Sequence, residues 1–268
     1  MHDAHTVWDG IGVDADGMTP LRVVTFNIRN GRAVDGWNSW WLRRRLTARV
    51  VRDLKPDVAG LQEVYDFQEQ WLLRAVRGYT SVGAGRTDGT EGERCPVFVR
   101  RGRLAIEAAE TRWFSSEPER AGTMLDGARF PRIATLVTMS DAVTRHRFAI
   151  ANVHLDERRR ANRVFSVELL LTWLEPTLPW VVVGDFNATP AAPELDVLRA
   201  AGYESVLGAD APGTAHNFTG RLDGNRIDHV LVKPGEWQVD AARVVTTPRR
   251  RRLPSDHWPV VADLNLRQ

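Results

Sequence analysis

Short apolar runs alternate with polar loops along this chain, and most of the runs end on an acid, an amide or a histidine. The first, Leu21–Asn27, is rich in β-branched residues and predicts a strand. Trp40, Trp41, Leu42, Leu46, Val50, Val51 and Leu54 then recur at helical spacing, with arginines on the other face, until Lys55-Pro56 stops the helix. A second strand over 58–63 ends on Glu63, and an amphipathic helix over 67–76 follows. Beyond a glycine-rich polar loop at 83–92, strands are predicted at 97–100, 104–108, 133–139 and 148–153, the last running into His154. A helix over 160–174 precedes the most hydrophobic run, Val181-Val182-Val183. It breaks at Gly184 and presents Asp185 and Asn187, which share one side of an extended backbone. A short helix over 194–200 and strands at 227–232, 244–246 and 260–264 complete the pattern.

Strand-rich blocks follow one another and helices fall between the blocks. That order favours an α/β fold with two sheets packed face to face and helices outside, over a doubly wound parallel sheet. The chain has 268 residues, 43% of them hydrophobic, enough for a large core. Residues 1–19 read as a flexible polar lead-in, and 20–268 as one domain without internal repeats. No apolar run approaches the ~20 residues that span a bilayer, and Met1 to Met18 lack the basic-then-apolar pattern of a secretory signal. A cytoplasmic location is expected, with no membrane association and no obligate protein partner.

Composition adds two constraints. The single cysteine, Cys95, excludes a disulfide framework and lies beside an apolar strand, so it reads as buried and structural. Only Lys55 and Lys233 are lysines; the other 34 basic residues are arginine, and the formal net charge is only +2. The basic side chains gather as Arg158-Arg159-Arg160, Arg249 to Arg252, and the pair Arg129 and Arg132.

Candidate chemistry lies at the strand ends: Asn27, Glu63, His154 with Asp156, Asp185 with Asn187, Asp228, and Asp256 with His257. Loops at one rim of a sheet are where sites are built. The Glu, Asp and Asn oxygens suit a hard cation, Mg²⁺ or Mn²⁺. Histidines beside carboxylates suit proton transfer and stabilisation of developing charge. No Gly-x-Ser-x-Gly elbow, Walker-type loop or His-Glu-x-x-His is present. Taken singly, Asn27 is also a turn former, Glu63 a capping acid, His154 a core histidine and Asp256-His257 a turn.

In order, Thr25-Phe26-Asn27, Leu61-Gln62-Glu63-Val64, Asn152-Val153-His154-Leu155-Asp156, Gly184-Asp185-Phe186-Asn187, Arg226-Ile227-Asp228-His229 and Ser255-Asp256-His257-Trp258-Pro259-Val260 resemble the motifs of the endonuclease/exonuclease/phosphatase superfamily. The resemblance runs from about Leu21 to Leu264, and within the superfamily Gly85-Arg86-Thr87-Asp88-Gly89 ahead of Gly92-Glu93, with the Asp35-Gly36-Trp37-Asn38 loop, looks most like a bacterial branch of metal-dependent hydrolases. It implies a four-layer α/β/β/α sandwich. It implies metal ligation by Glu63 with Asn27 and Asp256, and a catalytic set of His154, Asp185, Asn187, Asp228 and His257. Asp185 would activate water or protonate the leaving oxygen. Asn187 would hold the phosphate and Asp185. Asp228 would polarise His257. His154 would be a second phosphate-side histidine, paired with Glu93. The implied reaction is in-line attack of a metal-assisted water on phosphorus.

The substrate class stays open between three readings. First is a phosphodiester of nucleic acid or nucleotide (RNA or DNA), which a basic rim and stacking by Trp37, Trp40, Trp113 or Trp258 would serve. Second is a phosphomonoester, phospholipid or phosphosugar on a small molecule. The third, of a different class, is a non-catalytic module binding a phospho-ligand. The absence of a lysine-rich insert or aromatic wedge loop counts against abasic-site DNA cleavage, and the absence of an apolar hairpin counts against membrane lipid.

Overall fold

The computed structural model describes residues 20–246 and 252–267. The lead-in expected at 1–19 and three of the four arginines at 249–252 lie outside the described residues. Within them the chain builds two six-stranded mixed sheets and four helices.

The first sheet contains β1 (Leu21–Asn27), β2 (Val58–Gln62), β3 (Tyr79–Val82), β4 (Val97–Arg100), β11 (Trp237–Val244) and β12 (Val260–Leu266), in the order β11-β12-β1-β2-β4-β3. The second contains β5 (Leu104–Trp113), β6 (Ile133–Asp141), β7 (Arg147–His154), β8 (Trp180–Asp185), β9 (Glu204–Ser205) and β10 (Asp228–Val232), in the order β5-β6-β7-β8-β10-β9. Val23, Val58 and Val260 meet Val137, Ile150, Val181 and Val230 in a core between the sheets. Helices α1 (Trp40–Leu54) and α2 (Asp66–Ala75) cover the outer face of the first sheet through Trp40, Val51 and Leu72. Helices α3 (Arg160–Trp173) and α4 (Pro193–Ala200) cover the second through Val167, Leu170 and Leu198. The result is the expected four-layer sandwich.

Strand direction is what gathers the site. β1 runs parallel to β2 and antiparallel to β12, so the ends of β1 and β2 and the start of β12 share one rim. β8 runs parallel to β7 and antiparallel to β10, so the ends of β7 and β8 and the start of β10 place His154, Asp185 and Asp228 on one rim too. Just beneath these rims a buried polar seam joins the sheets. Gln62 Nε2 donates to Thr25 Oγ1 at 3.0 Å and to Asn152 Oδ1 at 2.7 Å, while Asn152 Nδ2 donates to Leu61 O and Pro96 O.

The structure corrects several details. β3 and β9 have no counterpart in the sequence reading, β5 is longer than 104–108, and of the strand expected at 244–246 only Val244 is strand, as the last residue of β11. Arg43 of α1 is not on the solvent face: it is fully buried and donates to Ile28 O, Arg29 O and Pro254 O. Its guanidinium thereby fastens the loop after β1 to the segment before Ser255; burial pulls its pKa down to about 10. Of the tryptophans considered for stacking, Trp40, Trp113 and Trp258 are buried and only Trp37 is exposed. Cys95 is buried as expected, and burial pushes its thiol up to about 12, which leaves little thiolate.

Candidate active site

The two rims meet at an open cleft of about 560 Å³ whose walls include Glu63, Glu93, His154, Asp185, Asn187, Asp256 and His257. Asp185 closes β8 and is almost fully buried. Gly184 puts it there: its φ of +150° and a close approach to Val153 O leave no room for a side chain. Asp185 Oδ2 accepts Asn27 Nδ2 at 2.9 Å, and Oδ1 accepts the Asn187 N–H at 2.9 Å. Asn187 takes φ +50°, a conformation asparagine tolerates, and its Nδ2 donates to Leu155 O at 3.0 Å.

Asp228 stands opposite Asp185 in the antiparallel register of β8 and β10. Its Oδ2 lies 2.8 Å from His257 Nδ1 and its Oδ1 is buried without a partner. Burial pulls the His257 pKa down, but Asp228, with Asp185 and Asp256, holds it well above the ordinary 6.5. The ring is therefore a cation whose Nε2 is left for the cleft. Asp185 moves the other way for a carboxylate: burial first, then the charge of Asp228, pushes it up to about 7. His154 Nε2 lies 3.6 Å from Asp185 Oδ2. Burial, then Arg132 and Arg86, lower His154 well below 6.5, so it is neutral. One cleft thus holds a fixed cation, a neutral imidazole and a carboxyl poised near neutrality, the combination that acid–base chemistry requires.

The other end of the cleft is rich in oxygen. Glu63 follows β2 at φ +60° and accepts Asn27 Nδ2 at 3.0 Å and the Asn30 N–H at 2.8 Å. Asp256 has Ser255 Oγ at 3.2 Å and Arg29 Nη1 at 3.6 Å, and both its burial and nearby Glu63 raise its pKa. Arg29 is itself held by Asp35 through two hydrogen bonds. Two hard carboxylates that repel one another beside a largely committed arginine fit a divalent cation. Asn27 differs from expectation: its amide nitrogen, not its oxygen, faces Glu63, and Oδ1 accepts the Arg29 N–H. As set here it ties Glu63 to Asp185. Asp185, Asp228 and His257 have ligating atoms within 4.8 Å of one another. There the His257 nitrogen is already committed to Asp228, so this trio is a hydrogen-bonded unit.

The expected pairing of Glu93 with His154 is not formed. Glu93 Oε2 binds Arg86 Nη1 at 2.7 Å and Oε1 accepts Asn30 Nδ2 at 2.9 Å, which spends both oxygens. Asp156 lines no part of this centre; it accepts the N–H groups of Arg158 and Arg159 at the start of α3.

A family model described as the Endonuclease/Exonuclease/phosphatase family matches residues 24–257, from β1 to His257. The chain belongs to this family. The family's members are hydrolases of phosphate esters. An endonuclease/exonuclease/phosphatase from Bacteroides vulgatus is 30% identical, with 93% of this chain and 100% of that one covered at a TM-score of 0.85. The Bacteroides thetaiotaomicron mannosyl-6-phosphatase is 28% identical over 91% of this chain and 99% of that one, at a TM-score of 0.84. The human Nocturnin catalytic domain with bound sulfate anion shares the fold at 22% identity and a TM-score of 0.74, covering 92% and 94% of the two chains. No curated protein matches the chain in sequence. Among the described residues no helix is long and apolar enough to cross a membrane.

Arg29, Asn30, Arg43 and Arg86 were not singled out as site residues by the sequence. Asn30 and Arg29 sit in the loop three residues or fewer beyond Asn27, and that proximity was the available signal.

Proposed function

We propose that this protein is a divalent-metal-dependent phosphoesterase acting by in-line attack of water on phosphorus. The observation that carries the reading is the meeting of Asp185, poised near pH 7, with the charged His257–Asp228 pair in a cleft that also presents Glu63 and Asp256. Glu63 and Asp256, with Asn27 once its amide turns, would hold Mg²⁺ or Mn²⁺. When bound, the cation supplies Lewis-acid stabilisation of charge on the phosphoryl oxygens. Asp185 takes the proton of the attacking water. His257 holds a phosphoryl oxygen through Nε2, with Asp228 keeping its ring charged. Asn187 fixes Asp185 through its backbone N–H and offers its amide to the phosphate, and neutral His154 is a second hydrogen-bonding partner.

The sequence reading put a nucleic-acid phosphodiester first. We favour the small phosphomonoester, because cationic groups gather deep in the cleft at Arg86 and Arg132 and a relative at 28% identity is named a mannosyl-6-phosphatase. Hydrolysis of p-nitrophenyl phosphate and bis(p-nitrophenyl) phosphate with Mg²⁺ or Mn²⁺, in EDTA, and by Glu63→Ala tests the reading. Metal-dependent turnover should fall by about 10³-fold or more in the variant. Preference for the diester, with kcat/KM that drops steeply with salt, would restore the nucleic-acid reading. Folded protein that binds phosphate yet turns over neither ester would leave the binding module.

A further inference from the structure

The phosphate side of the cleft holds an arginine that the proposed catalytic set does not use. Arg132, just ahead of β6, is 7% exposed and lines the cleft. Its Nη2 binds Glu157 at the cleft edge, while Nε and Nη1 have no hydrogen-bond partner. A buried guanidinium with donors unmet is costly, because burial removes the water that would satisfy them. Such an arrangement is stable in use if a ligand brings the acceptors.

Arg86 stands beside it, 8% exposed, and its position is fixed from several directions. Trp113 Nε1 donates to Arg86 O at 2.7 Å, Arg86 N donates to Glu93 O at 3.1 Å, and Glu93 Oε2 holds Nη1. The Arg86 guanidinium lies 4.4 Å from the centre of the Phe130 ring, which Arg129 also approaches at 4.9 Å. The Phe114 N–H donates to Arg132 O at 2.8 Å, tying the backbone of Arg132 to the strand pair below. Both guanidinium groups are therefore placed by the fold, not by mobile surface loops.

The chemistry of the missing acceptor follows from geometry and counting. A guanidinium fork matches the oxygens of phosphate. A phosphodiester offers two non-bridging oxygens, which the metal side, His257 and Asn187 can engage. A terminal phosphate offers three and a second negative charge. We propose that Arg132, supported by Arg86, receives the third oxygen of a terminal phosphate and so selects dianionic phosphomonoesters over phosphodiesters. The neutrality of His154 agrees with this, since Arg132 and Arg86 then supply the positive charge on that wall. The assignment rests on the phosphoesterase reading above.

The test compares kcat/KM for p-nitrophenyl phosphate and bis(p-nitrophenyl) phosphate in the Mg²⁺-loaded wild type, Arg132→Ala and Arg132→Lys. A charge-assisted hydrogen bond supports a drop in the monoester-to-diester ratio of about 10–100-fold for Arg132→Ala. Arg132→Lys keeps the charge but not the fork, and should lower the ratio by less. A ratio within twofold of wild type in variants that fold, by circular dichroism, overturns the proposal. Calorimetric titration with inorganic phosphate in EDTA reads the same site without turnover. Arg132→Ala should weaken that binding about tenfold or more; equal affinity, or no saturable binding by the wild type, overturns it. If the wild type hydrolyses neither ester, the phosphoesterase reading fails while the titration still decides the arginine site.

Discussion

Asp228 pairs with His257 at 2.8 Å while standing directly opposite Asp185 across β8 and β10. One carboxylate thus acts on two neighbours with opposite effect: it keeps an imidazole charged and makes the facing acid harder to ionise. Asp228→Asn removes both influences. The His257 titration, followed by NMR of its ring protons, should move to lower pH. The rate should drop by about 10²–10³-fold, the usual consequence of losing a preorganised charge. An unchanged His257 titration would separate Asp228 from this role.

The pH–rate profile should carry two limbs. As the proposed base, Asp185 must be ionised to take a proton, so kcat/KM should fall as pH drops below its pKa, about 7 without metal and lower once a cation is near. As the proposed phosphate partner, His257 must stay charged, so the alkaline limb should lie well above 6.5. Asp185→Asn should abolish the acid limb along with most of the activity. A rate that climbs steadily on acidification contradicts the assignment of Asp185 as base.

Stability should fall in acid for a reason outside the reaction. His229 is fully buried, its Nε2 lies 2.8 Å from Ala188 O and its Nδ1 has no partner. Burial lowers its pKa from 6.5 to about 4. Protonation therefore favours the unfolded chain. Its contribution is complete above pH 6.5 and is lost as pH falls from there to about 4, a difference of about 3 kcal/mol. Urea unfolding at pH 7.5 and 4.5 in EDTA measures it. His229→Gln should have the smaller change between the two pH values.

Gly184→Ala should be severe despite its small size. The added Cβ would lie 2.1 Å from Val153 O, and φ +150° is a conformation alanine resists. Backbone must move, at about 3 kcal/mol or more. Because His154 and Asp185 flank the contact, activity should fall in the fraction that still folds. A variant with wild-type melting temperature and rate would show that the approach is relaxed at no cost.

The parts of this centre legible in sequence were those where an apolar strand ends on a polar side chain. Asn27, Glu63, His154 and Asp185 each follow directly on an apolar strand, and although each alone has an ordinary reading as a turn former, a capping acid or a core histidine, their recurrence at strand ends pointed to one site. Edge strands lacked that contrast. β11 buries only its two terminal residues, and β9 has two residues in all, so neither carries a period. Arg43 was misplaced because an arginine in an amphipathic helix normally faces water; here four backbone carbonyls, of Ile28, Arg29, Asn38 and Pro254, replace the solvent. Glu93 was given the wrong partner because its choice between His154 and Arg86 depends on the fold of the 83–92 loop, which residue types do not specify.

The polar seam of Thr25, Gln62 and Asn152 has a consequence for how the protein fails. Asn27, Glu63 and Asp256 ride on one leaf of the sandwich, and His154, Asp185 and Asp228 on the other. The seam is the peg that keeps the leaves aligned, so the proposed turnover would double as an alignment gauge. Warming or dilute denaturant that lets one leaf slip should silence turnover while helix content is still intact.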